Sequence, residues 1–147
     1  MIQALSADFA ALEEFSVAVL RDSRLPSLHP DPCQVTVVDS AEAEQLALRR
    51  LASQADWTLL IAPETEGALL QRARLVEAAG GRLLSPSPEC VQITANKHAT
   101  AQHFQQHGIP APQGVFIESP ADWPRQIAFP CILKDRKSTR LNSSHRT

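Results

Sequence analysis

The chain has 147 residues, 44% of them hydrophobic, and a formal net charge of −2. That length holds one domain and the start of a second, and the slight acidity excludes a general nucleic-acid binder, whose face would be basic. No run of eighteen or more apolar residues exists to span a membrane, and residues 1–20 carry Asp8, Glu13 and Glu14 with no Lys or Arg, unlike a signal peptide.

Residues 3–20 read as a helix, with Leu5, Phe9, Leu12 and Phe15 at helical spacing, followed by a strand over Ser16–Leu20. A loop with Pro26, Pro30 and Pro32 leads to a second strand, Gln34–Asp39. Ser40 is placed to cap a helix running to about Gln54, with Glu42 and Glu44 suiting its first turn. Trp57–Ala62 is a continuous apolar strand, the pattern of a strand covered on both faces. The turn Pro63–Gly67 follows, then a helix over 68–79 ended by Gly80-Gly81, a short strand over Arg82–Leu84, and a short helix with Ser87 as cap and Pro88 at its first position. Strand alternating with helix at this spacing predicts an α/β fold, a parallel sheet with helices on both faces and right-handed crossovers.

The stretch Asn96–Pro112 predicts a longer helix capped by the Thr94 hydroxyl, ended at Gly108 by a left-handed residue, with Pro110 leading out. Lys97 falls in its first turn, where a cation is unfavourable unless an anion answers it. About twenty residues on, Phe129–Leu133 is an apolar strand ending on Lys134. Two lysines on separate elements, each with a reason to meet an anion, suggest a phosphate site; a solvated helix lysine is the plainer alternative for Lys97. His103 and His107 share a helix face at possible ligand spacing, but no cysteine or carboxylate completes a metal set, so a solvated face is expected. Cys33, Cys90 and Cys131 are far apart, odd in number and form no CxxC, as expected of free thiols in a reducing compartment such as the cytoplasm.

Asn96-Lys97, then Gly108-Ile109-Pro110-Ala111-Pro112, then Ile132-Leu133-Lys134 resemble in order and spacing the opening of an ATP-grasp domain. The resemblance implies a Rossmann-like pre-ATP-grasp domain over 1–93, with its first strand missing, and the start of an ATP-grasp domain over 94–134. It implies an ATP-dependent ligase that joins a small-molecule carboxylate to an amine through an acyl-phosphate, with ATP and magnesium as cofactors. Lys97 and Lys134 would contact the nucleotide phosphates, Lys134 those at α and β. The magnesium ligands and the adenine hinge would lie further along the family's chain, so this part is expected to be inactive alone. Ile61-Ala62-Pro63-Glu64 with Leu69-Leu70 and Leu84-Ser85-Pro86-Ser87 resembles the branch holding tyramine–glutamate ligase and the pyrrolysine-biosynthesis ligase. Glu64, at the carboxyl end of a parallel strand, either meets an amine substrate there or is a solvated turn carboxylate.

Residues 135–147 break the resemblance. They have no apolar periodicity, which predicts disorder, and Asp135–His145 reads codon by codon as a translated sequencing-adapter oligonucleotide. This segment holds one acid, Asp135, and four bases, Arg136, Lys137, Arg140 and Arg146, so the preceding 134 residues carry −5 against −2 for the whole chain. A basic arm for nucleic acid is the competing reading of the tail. The competing reading of the whole is a non-catalytic flavodoxin-like or receiver-like binding module, which residues 17–90 support equally well. Asp39 follows a strand as a receiver's phosphoacceptor would, but no clear partner carboxylates accompany it, and such a module has no reason to continue into the lysine motifs.

Overall fold

The computed structural model describes residues 2–27, 33–63, 65–119, 121 and 132. Helix α1 (Ile2–Ala10) precedes strand β1 (Ala18–Asp22), which pairs in parallel with β2 (Gln34–Val38), Leu20 opposite Thr36. Helix α2 (Ala41–Ala52) returns from β2, followed by α3 (Ala68–Ala78), α4 (Pro88–Thr94) and α5 (Lys97–Gln106). The order and the parallel pairing are those of an α/β fold.

The helices begin and end for local reasons. Ser40 caps α2, its Oγ accepting from the Ala43 amide at 3.2 Å, and Ser87 caps α4, accepting from the Cys90 amide at 3.3 Å. At the end of α3, the Gly81 amide donates to the Val76 carbonyl and the Gly80 amide to that of Glu77, both at 2.9 Å. That doubly bonded turn needs a left-handed residue, which Gly80 supplies at φ +76°. The end of α5 repeats it, with Ile109 bonded to Phe104, Gly108 to Gln105, and Gly108 at φ +69°.

Trp57–Ala62 is not the continuous strand its apolar run predicts. It makes one parallel bridge, Thr58 with Leu83, closed by bonds from the Thr58 amide to the Arg82 carbonyl (2.8 Å) and from the Leu84 amide to the Thr58 carbonyl (2.9 Å). The next rung would need the Leu84 carbonyl and an amide at position 86, and Pro86 has none. The Ser85 hydroxyl stands in, accepting from the Leu60 amide at 2.8 Å.

Leu48 and Ala52 of α2 and Val76 of α3 form the buried core, with Leu20, Leu60, Leu75, Ala79 and Leu83 packed against it. Both helices therefore cover the same side of the strands, where the sequence predicts cover on both. Trp57, Leu59, Ile61 and Leu84, at the alternate positions, stay about half exposed. A bidentate pair, Arg72 to Glu44 at 2.8 and 2.7 Å, ties α3 to α2 at the edge of this core. Among the described residues no helix is long and apolar enough to cross a membrane. The tail 135–147 and the expected strand over Phe129–Leu133, apart from Ile132, lie outside the described residues.

Candidate functional site

The sequence predicts one helix starting at Thr94; the chain instead breaks there. Thr94 ends α4, its hydroxyl donating back to the carbonyls of Cys90 (2.8 Å) and Val91 (3.3 Å), so it caps nothing. The cap of α5 is Asn96, in extended conformation, whose Oδ1 accepts from the amides of His98 (3.0 Å) and Ala99 (3.2 Å). Thr100 pins the two helices together, its hydroxyl reaching the Ile93 carbonyl at 2.9 Å and that of Asn96 at 3.0 Å. Asn is among the strongest capping residues, which is the signal in the sequence that points to Asn96. Thr100 is found only through the fold.

This junction sets Lys97. Asn96 is committed to the backbone, which fixes Lys97 at the first helical position, exposed and in no ion pair among the described residues. It borders an open cleft of about 300 Å³, lined also by Thr94, Thr100, Ala101, Phe104, Ala111 and Pro112. One wall is α5. The other is the segment after Gly108, which the bonded turn at the end of α5 folds back along the helix; the rings of His98 and Phe116 lie 6.5 Å apart. A mostly apolar lining with one cation at the rim suits a ligand with an apolar body and an anionic end.

The other predicted site residues are not brought to it. Glu64 and Lys134 lie outside the described residues. The turn beside Glu64 has an unforeseen feature: Glu66 is left-handed at φ +57°, directly before Gly67 at φ +71°. A non-glycine residue held there costs about 1–2 kcal/mol, and nothing in the residue type announces it. Asp22, at the carboxyl end of β1, is paired with Arg24 at 2.6 Å. The Arg24 guanidinium bond first, and the Arg24 amide second, hold the Asp22 carboxyl at about 2. Bonds from its own amide and from Ser87 lower Glu89, at the start of α4.

Among the described residues no three of His, Cys, Asp and Glu gather where they could hold a metal ion. Lys97 and the cleft place a cation and an apolar wall on adjoining surfaces.

The pre ATP-grasp 3 domain matches residues 15–91. A D-alanine–D-alanine ligase of Oleidesulfovibrio alaskensis is 29% identical over 120 residues, a match covering 79% of this chain and 35% of the relative. The chain thus spans about a third of the length of that curated relative. No solved structure matches. The matched segment takes in more than half of the residues, runs from just before β1 into α4, and carries the parallel pairing described above, so the chain belongs to the pre ATP-grasp 3 domain family.

Proposed function

We propose that this chain is the front part of an ATP-dependent ligase that joins a small-molecule carboxylate to an amine through an acyl-phosphate. The single observation that carries the proposal is Lys97: a cation in no ion pair among the described residues, at the start of α5, beside an apolar cleft and shortly after the family domain. In such a reaction the carboxylate oxygen attacks the γ-phosphorus, ADP leaves, and the amine then displaces phosphate from the acyl carbon. Magnesium would offset charge on the transferring phosphoryl group if the longer protein held it; the described residues offer no ligand set for it.

This chain's own contribution is electrostatic and positional. Lys97 offers a charge-assisted hydrogen bond to a phosphate oxygen, and the Asn96 cap with the Thr100 pin keeps that lysine from swinging with a frayed helix end. Lys134 is proposed to take the α- and β-phosphates from the end of its strand, and Glu64 to meet the amine. The amide-forming relative, a D-alanine–D-alanine ligase, supports the reaction class. The resemblance of Ile61–Glu64 and Leu84–Ser87 to the tyramine–glutamate branch favours an amino-acid carboxylate and an amine as substrates.

The test is ADP release by the longer protein of which the proposal makes this chain a part, measured with pairs of amino acids and amines. Release that requires both partners, with none from the 147-residue chain alone, is expected. Amide formation by the 147-residue chain, or ADP release indifferent to acid and amine, would overturn the proposal.

A further inference from the structure

His103 and His107 read from the sequence as a solvated face, but the structure gives them a geometry that a solvated pair does not need. Their rings lie side by side at the last turn of α5, centroids 4.3 Å apart and tilted by 40°. His107 Nδ1 lies 2.8 Å from the His103 carbonyl oxygen. A carbonyl only accepts, so Nδ1 carries a proton; in the neutral ring the lone pair is then on Nε2, the arrangement in which an imidazole ligates a metal. The same hydrogen bond orients the ring, as the outer partner of a metal-bound histidine does. The His107 amide, shared between the carbonyls of His103 (3.2 Å) and Phe104 (3.1 Å), holds the residue at the helix end, and Gly108 and Ile109 close the turn behind it. The helix dipole favours positive charge at this end.

We infer that His103 and His107 form a two-histidine clip for a borderline divalent transition ion such as Zn²⁺, Ni²⁺ or Cu²⁺, with water completing the coordination. Imidazole nitrogen suits these ions and not Mg²⁺ or Ca²⁺, which take oxygen. A bound ion ties residue 103 to residue 107 across the turn that sends Ile109–Pro112 back along α5, and so stiffens one wall of the Lys97 cleft. The inference stands independently of the ligase proposal.

The experiment titrates the intact 147-residue chain with ZnCl₂, NiCl₂ and MgCl₂ by calorimetry, with a thermal melt at each saturation. One Zn²⁺ or Ni²⁺ per chain is expected, with no Mg²⁺ binding and a higher melting temperature in Zn²⁺, since a ligand held only by the folded state stabilises it. H103Q and H107Q should each weaken binding by about tenfold or more, a loss at least as large as that from removing an outer partner of a ligand. Circular dichroism checks the fold, and because His107 also ends the helix, H103Q serves as the independent variant. No Zn²⁺ or Ni²⁺ binding, or undiminished affinity in the H103Q/H107Q double variant because thiols such as Cys33 or Cys90 hold the ion, would overturn the inference.

Discussion

A methyl group at Gly81 should strain the junction between α2 and α3. An added Cβ would sit 2.7 Å from the Ala52 carbonyl oxygen, 3.0 Å from Ala52 Cβ and 3.0 Å from Val76 Cγ1. None of these is the tip of a flexible side chain: Ala52 is 1% exposed, Val76 is fully buried, and both belong to the core that joins the helices to the strands. Relief requires moving backbone, and overpacking of this kind costs about 1–3 kcal/mol. For a chain of this size each kcal/mol lowers the melting temperature by about 2–4 °C, so Gly81→Ala should lose about 2–12 °C. Gly80 gives the contrast. It has open space around its missing Cβ but a left-handed φ of +76°, so Gly80→Ala should cost about 1–2 kcal/mol for a different reason. Asparagine, which tolerates left-handed backbone, should recover part of that loss at Gly80 and worsen the loss at Gly81. Differential scanning calorimetry on the four variants reads all of this. A Gly81→Ala protein as stable as the parent would refute the close approach of Gly81 to Ala52.

Asn96→Ala should cost about 1 kcal/mol, within the usual 0.5–2 for a lost helix cap, whereas Asn96→Ser should keep most of it, measured by urea unfolding. Thr94→Ala should cost less, because its hydroxyl only bonds back into its own helix; a larger loss at Thr94 than at Asn96 would return the cap to Thr94. Asp22 should titrate at about 2 in the folded chain and rise towards the ordinary value in Arg24→Ala, followed by NMR of the carboxyl carbon. Its folded value lies below its unfolded one, so whatever stability the pair adds is present above about pH 4 and is lost as pH falls towards 2. The pair is on the surface, so the change in unfolding free energy over that range should be small.

Local chemistry was legible wherever one residue type meets one backbone demand. Ser40 and Ser87 cap as their hydroxyls predict, and Gly80 and Gly108 sit where a left-handed residue is needed. A parallel sheet follows from strand and helix alternating along the chain, although the sequence puts a proline-rich loop and no helix between β1 and β2 themselves. Competition between neighbours was legible only in part. Thr94 and Asn96 are both capping residues two positions apart; asparagine's higher rank as a cap leans towards Asn96, and the Thr100 pin, which needs α4 and α5 side by side, adds what the sequence does not show. Trp57–Ala62 has the composition of a buried strand, yet Pro86 in its partner ends the ladder after one rung, so the apolar run outlasts its hydrogen bonding. Lys97 was legible as a cation out of place in a first turn. The cleft beside it was not, because its second wall, Ala111 and Pro112, arrives through the turn at Gly108. Glu66 shows the limit most plainly: its left-handed backbone is imposed by the loop around it.

The central claim is that Lys97 opens a phosphate site, with Lys134 as its second cation. It is tested most directly by calorimetric ATP affinity of the longer protein proposed above, compared among the parent, Lys97→Ala and Lys134→Ala. A charge-assisted contact to phosphate is worth about 1.5–3 kcal/mol, so each substitution should weaken ATP binding by about tenfold to a hundredfold, with circular dichroism unchanged. Equal affinities in the three proteins, with the fold intact, would contradict the claim and leave both residues as surface lysines.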